Sequence, residues 1–373
     1  NESQDTITVE FTSLQWSEIF TKFLADYQAG SAPDIIAMHT FEMGQFVDMG
    51  VLDADQVAAM DLNKEDYEPV AWEGCKYDGT LYGVPIDVNM HALYYNQDLY
   101  DAAGIENPPT TGEELIETAM KLTIDANGKN ASEEGFDKEN IVQYGLGFLP
   151  NHHAFYQYYS LINQQGYNPF TVDMESISLD TEKSNAAIEF IEDLIYEYNV
   201  VPVGEKSPID DFKAETVAMI IDGNWQLSGL TDVSFNWNTA EYPQIFDEKA
   251  VWGAAELLAF PSSQNPDTNK QAAAQEFVKW LSENSAEWAL SGQIPANIKA
   301  QEESEKLQGI DAYYAEKDYV KFLPAHPAAV SLFSSKAPSP ILTMAQDTTL
   351  NNKDATEITE NLEKDMNEVI KNN

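Results

Sequence analysis

The sequence predicts an α/β protein built as two lobes, with the chain crossing between them several times. Its 373 residues are too many for one small hydrophobic core. Strand-like and helix-like periodicities alternate from the start, as in βαβ units. No Pro/Gly-rich linker divides the chain, so the lobes share crossing segments and are not beads on a string.

Taken in order, Thr6–Phe11 alternates and is rich in β-formers, which reads as a strand. Trp16, Ile19, Phe20, Phe23, Leu24 and Tyr27 recur at helical spacing, and Gly30 stops that helix. Residues 35–38 are wholly apolar and read as a second strand. Strand, helix and strand in so short a span predict a parallel pairing. They put His39, Phe41 and Glu42 just past a strand's carboxyl end, where open α/β sheets hold ligands. Residues 46–60 read as two helices joined by a turn, and Tyr77–Thr80, with its Asp-Gly pair, as a hairpin. Residues 81–85 and 91–95 read as strands, with the polar Asp87 and Asn89 between them.

Helices are predicted over 97–103, ended by Gly104, and over 112–122, capped by a threonine hydroxyl. Residues 125–139 are polar and aperiodic, hence a loop, and 142–149 read as a glycine-bearing strand. A helix opens at Asn151 and ends at Gly166, and a long amphipathic one covers 181–198. Ala218–Ile221 reads as a short buried strand ending in the turn Asp222-Gly223-Asn224, which offers Trp225 to the same kind of strand-end site. Residues 252–260 are strand-like, and Asp267 or Thr268 caps a helix over 269–283. Helical stretches at 287–290, 300–307, 311–320 and 354–370 complete the chain.

Composition narrows the chemistry. A formal charge of -43, from 63 acids against 20 bases, repels nucleic acid and anionic headgroups. Every base is a lysine. Arginine, the usual bidentate clamp for carboxylate and phosphate, is absent, which points to a neutral or cationic small ligand. The single cysteine, Cys75, builds neither a disulfide nor a thiolate metal cluster and reads as a buried inert side chain. No apolar run approaches the roughly 18 residues of a membrane span. Asn1 reads as a mature or trimmed start, with any signal peptide or lipid anchor lying before it.

The usual catalytic patterns are missing. Neighbouring acids such as Glu113/Glu114 or Asp210/Asp211 are expected by chance in so acidic a chain, and a glycosidase needs carboxylates opposed across a cleft. The five histidines, His39, His91, His152, His153 and His326, show no zincin spacing. There is no G-x-S-x-G elbow and no Walker or dinucleotide glycine pattern. Asp125–Asn130 begins like a calcium loop, but its glycine is fourth instead of sixth and Phe136 stands at the closing glutamate's place, so calcium is a secondary reading beside no cofactor at all.

What remains is binding. Neutral sugars present apolar C–H faces to aromatic rings and hydroxyls to Asp, Glu, Asn and His. Candidates at the predicted strand ends are His39, Phe41, Glu42, Asp87, Asn89, His153, Tyr156, Tyr159, Trp225, Trp252 and Glu256. Singly, each reads equally well as core or surface; together they favour a carbohydrate cleft.

Six segments in register resemble the extracellular solute-binding proteins of ABC sugar importers, the maltodextrin-binding-like group. Ala29–Ile36 is similar to that family's "AGxxPDI". Leu81–Pro85 followed by Leu93–Leu99 resembles "GxP…YYNKDLF", and Ala103–Leu115 resembles "AGxxxPPxTWxEL". Ala218–Trp225 is similar to "AMxxxGxW", Gln271–Leu281 to "AAxxFxxWL", and Gln293–Ala296 to "GxxPA". The resemblance implies a two-lobed, periplasmic-binding-protein-like fold with a ligand cleft between lobes and no catalysis. It implies a monomer that carries a neutral oligosaccharide to membrane permease subunits, lipid-anchored outside a Gram-positive cell by a segment beyond this sequence.

Residue by residue, the resemblance gives Trp225 the role of stacking on a sugar ring, Tyr156 an aromatic contact from the second lobe, and Asn89 a polar contact near the hinge. Where the family has a first-lobe tryptophan this chain has Met38, and the role passes to Phe41 or His39. Gly112 replaces another family tryptophan, a structural change. The expected lobes are 1–88 plus 258–305, and 89–257 plus 306–373. The family's first strand and helix precede the stretch at Asn1, so the chain is expected to start after them. Two other classes stay open: a secreted glycoside hydrolase or lyase, and a receptor for a cationic or peptide-like ligand.

Overall fold

The computed structural model describes residues 6–373. Its main strands are β1 (Ile36–His39), β2 (Gly83–Pro85), β3 (Asp87–Asn96), β4 (Met219–Gly223), β5 (Trp237–Ala240), β6 (Val251–Ala254), β7 (Glu256–Ala259), β8 (Ile294–Pro295) and β9 (Val320–Phe322). One sheet is three-stranded, in the order β1-β7-β2. A second is six-stranded: β8, β3, β6 and β9 lie side by side, and β4 and β5 also pair with β3; two short two-stranded ribbons lie apart from both.

The axis of the molecule is β3. All ten of its residues are buried. A strand covered on both faces reads as a continuous apolar run, and Met90, Ala92, Leu93, Tyr94 and Tyr95 supply one. Its first half pairs with β8 and β6, and its second half with β4 and β5. The chain leaves the small sheet at Ile86, between β2 and β3, and returns to it at Ala255, between β6 and β7. The stretch 252–260, read as one strand, is therefore two strands in two different sheets.

The sequence and the structure part company at the start. Thr6–Phe11 belongs to no strand, and Phe11 is 87% exposed. The predicted parallel unit does not form. Instead β1 pairs antiparallel with β7, Ile36 opposite Ala259 and His39 opposite Glu256. Alternation reports which residues share a face, while the pairing partner here lies more than two hundred residues away, beyond any local signal. Residues 142–149 likewise form only the end of a short strand, Ile141–Gln143, and then single parallel bridges from Tyr144 and Gly147 to Val217 and Ile220. The helix Pro340–Thr349 was not anticipated; Pro340 sits at its first turn, where a missing N–H costs nothing.

Other local signals hold. The helix Gln97–Ala103 ends at Gly104 with a left-handed φ of 68°. Thr111 caps Gly112–Leu122 by accepting from the Glu114 amide, and Asp267 caps Thr268–Glu283. Cys75 is buried and free. The calcium reading meets a different use of the same residues. Asp125 accepts backbone N–H donors from Asn127, Lys129 and Asp137, so amide hydrogens stand where a cation would. Among the described residues, no group of three His, Cys, Asp or Glu side chains is arranged to hold a metal ion.

Candidate functional site

The site begins where the two sheets meet. Asp87 and Asn89, expected between strands, lie within β3, at the end nearest the small sheet. Both side chains point to one face, two residues apart. Asn89 Nδ2 donates to Asp87 Oδ1 at 3.2 Å and also to Glu256 Oε2. Asn89 Oδ1 accepts from Asn224 Nδ2 at 3.0 Å, and Asn224 Oδ1 accepts from the Met90 amide at 3.1 Å. Asp87 Oδ1 also accepts the Glu256 amide at 2.9 Å, and its Oδ2 accepts the Trp288 indole N–H at 2.7 Å. Burial pushes the Glu256 carboxyl well above its ordinary value, and the Asp87 charge and a hydrogen bond to Asp87 push the same way. Both effects favour the neutral form of the Glu256 carboxyl.

One wall rises from β1 and the turn after it. His39 Nδ1 lies 3.0 Å from Glu42 Oε2, which also accepts the His39 amide at 3.0 Å. His39 Nε2 lies 3.7 Å from Glu256 Oε1, which ties this wall to the floor. Phe41 stacks on His39 with centroids 5.4 Å apart and meets Phe333 edge-on at 6.2 Å.

A second side of the site is aromatic. It comes from the helix His152–Gln164, from β6, and from the 3-10 segment Asn224–Leu230 that follows β4. Tyr156 and Trp252 stack face to face, 3.8 Å apart and 5° from parallel. His91 Nε2 meets His153 Nδ1 at 3.0 Å, and Trp225 packs edge-on to His91, His153 and Trp252. Burial, reinforced by neighbouring imidazoles, lowers His91 to about 3 and His152 to about 4 and takes His153 well below its ordinary value. These rings are neutral at pH 7. A neutral imidazole offers one donor and one acceptor, which suits a hydroxyl. The Trp252 indole N–H is buried and meets no acceptor within the protein.

Trp225 is held by its own turn. Its benzenoid ring lies directly over Gly223, whose missing side chain leaves the room. Tyr94 Oη donates to the Gly223 carbonyl at 2.6 Å, and the Asp222 carboxylate accepts the Gly223 amide at 2.7 Å and Gln226 Nε2 at 3.0 Å.

Ten of the eleven candidate residues fall in one neighbourhood: Asp87, Asn89 and Glu256 as floor, His39, Glu42 and the buried Phe41 on one side, and His153, Tyr156, Trp225 and Trp252 on the other. Tyr159 departs: it is fully buried, and its hydroxyl donates to the Phe322 carbonyl at 2.8 Å, so it is a core residue. Met38 is likewise buried in the core. Sequence reasoning missed Asn224, which knits Asn89 to the turn of Trp225, and His91, which lies at the centre of the aromatic wall. It also missed Trp16 and Trp288, respectively 41% and 46% exposed, the first against His39 and the second on Asp87. Both fall in stretches read as helix; only their exposure and long-range partners mark them.

The model of the family of bacterial extracellular solute-binding proteins matches residues 1–313. The chain belongs to that family. A maltodextrin-binding protein of Bacillus subtilis is 24% identical over 317 residues, covering 82% of this chain and 70% of the relative. A maltotriose-binding protein of Pyrococcus abyssi is 23% identical over 263 residues, covering 69% of this chain and 52% of the relative, so the match spans about half that protein's length. Among solved structures, the maltose/maltodextrin-binding domain from Bdellovibrio bacteriovorus bound to maltotriose superposes with a TM-score of 0.78 at 20% identity, over 99% of this chain and 93% of its own. The fold is the two-lobed one of these solute-binding proteins, and the site described above lies where the two sheets meet.

Proposed function

We propose that this solute-binding protein is the extracellular substrate-binding component of an ABC importer and takes a neutral oligosaccharide. The observation that carries the reading is the cluster of aromatic and imidazole side chains around His91, beside the carboxyl and amide groups of Asp87, Asn89 and Glu256. Rings cover apolar sugar faces, while the floor and the imidazoles exchange hydrogen bonds with hydroxyls. The absence of arginine agrees with an uncharged ligand. Relatives named for maltotriose and maltodextrin support the sugar class.

The lobes we assign are 1–88 plus 258–305 and 89–257 plus 306–373. Closure about the crossings near Ile86 and Ala255 would be favoured by ligand and read by permease subunits. Membrane anchoring outside the cell and a monomeric state belong to the same reading. The buried pair Asp87 and Glu256 argues against hydrolysis. Both carboxyls are bridged by one amide, Asn89, whereas glycosidase carboxyls face each other across the scissile bond.

The test is calorimetry with a panel of neutral oligosaccharides, with spermidine and a short peptide included because the acidic balance of the chain also suits a cation. Trp225→Ala is expected to keep the fold and to remove about 1–3 kcal/mol of saccharide binding. If folded protein binds spermidine or the peptide and no saccharide, the reading is wrong, and released products would revive the hydrolase.

A further inference from the structure

The geometry points to Asp222 as a positioning residue, the group that orients the Trp225 ring from beneath the site. This rests on the oligosaccharide reading and gives the aim of one of its rings to a residue that meets no ligand itself. Asp222 lies in β4 opposite Ala92 of β3 and is buried. Three donors converge on its carboxylate: the Gly223 amide at 2.7 Å from Oδ1, Gln226 Nε2 at 3.0 Å from Oδ2, and the Trp225 side chain. An indole has one donor, its N–H, so that edge of the ring is the one held. The backbone of the same turn is fixed separately. Tyr313 Oη donates to the Asp222 carbonyl at 3.2 Å and Tyr94 Oη to the Gly223 carbonyl at 2.6 Å. Packing against Gly223, His91, His153 and Trp252 sets the plane of the ring, and the carboxylate decides which edge turns down.

The hold depends on charge. Burial raises the Asp222 carboxyl to about 6 against the pull of its three donors, so it is ionised at neutral pH and takes up a proton in mildly acidic solution. A protonated carboxyl must place an O–H among those donors and loses part of its accepting capacity. The groups that face Asp222 keep their state over that range. Glu205, raised to about 8 by burial, retains its proton. Tyr94 from β3 and Tyr313 from the helix Ile310–Glu316, both pushed well above their ordinary value by burial, retain theirs. His91 and His153, beside the ring, stay neutral because burial lowers both.

The experiment titrates maltotriose and its longer homologues into the wild-type chain, Asp222→Asn and Trp225→Phe, and follows tryptophan emission of each from about pH 7.5 to about pH 5, with thermal melts alongside. Asp222→Asn is expected to melt cooperatively and to bind about tenfold more weakly at neutral pH. Wild-type affinity should fall about fivefold towards the acidic end, and Asp222→Asn should lack that fall. Wild-type emission should shift over the same range, with the shift missing from both variants. An Asp222→Asn chain that binds like the wild type with the same pH profile overturns the assignment, as does an emission shift that persists in it. If Asp222→Asn does not melt cooperatively, the wild type decides against Trp225→Phe: a shift confined to the wild type supports the assignment, and no shift overturns it. A wild-type chain that binds none of these saccharides removes the oligosaccharide reading, while the emission measurement still decides whether Asp222 holds Trp225.

Discussion

Replacing Gly223 by alanine should disable the site while sparing the fold. The backbone there has φ -87° and ψ 164°, an extended conformation open to any residue, so alanine brings no strain of its own. In the unfolded chain it restricts conformations, an effect worth about 0.4–1 kcal/mol in favour of the native state. The difficulty is the indole of Trp225. A Cβ built on Gly223 falls 2.1, 2.2 and 2.3 Å from three carbons of that ring. Ordinary carbon contacts are about 3.5–4.0 Å, so the ring must move by roughly 1.5 Å. It must then leave the edge-on contacts with His91, His153 and Trp252 that set its plane. A stacking surface displaced this far should lose most of its contribution, about 1–3 kcal/mol, or roughly 5- to 150-fold in Kd. The assay is calorimetric titration with whichever saccharide binds the wild type, beside a thermal melt. Gly223→Ala that melts with the wild type and binds with unchanged affinity would refute the placement of Trp225 in the site.

Further outcomes concern the buried acids. Burial, with the Asp211 charge, raises Glu205 to about 8 from an ordinary 4.5, and its Oε1 is buried without a partner. The folded state then holds a proton that the unfolded chain releases, so this group's stabilisation is full below pH 4.5 and is lost as pH rises through about 8. Melting curves of wild type and Glu205→Gln should therefore diverge across that window, the wild type falling faster; parallel curves would count against the assignment. Trp288→Phe deprives the buried Asp87 Oδ2 of its indole donor and should cost about 1–3 kcal/mol, read as a lower urea midpoint. An unchanged midpoint would mean that water replaces the indole.

Much of the candidate site was legible because strand ends and polar residues in apolar surroundings are local features. Asp87 and Asn89 stood out as polar positions in an apolar stretch, and Trp225 stood out behind a buried strand and a turn. Their neighbours were harder. His91 looked like one more strand residue, and nothing near Trp16 in sequence says that its ring rests on His39. Phe41 shows the opposite failure: it follows a strand end, where a ligand contact was expected, and packing claims its ring for the interior.

By itself the sequence determined most of the helices and the caps at Thr111 and Asp267, the strand at residues 91–95, the lack of any arginine to clamp an anion, and a motif order that resembles one family. These depend on residues within a turn or two of each other, where spacing and side-chain chemistry decide the outcome. The tertiary structure alone decided that β1 pairs antiparallel with β7 and that residues 252–260 divide between two sheets. It also decided that Glu256 meets Asp87 through Asn89, and which tryptophans stay open. Those choices bring together residues far apart in the chain. They are set by total apolar burial and by the pairing of every buried backbone group, quantities that no local window contains.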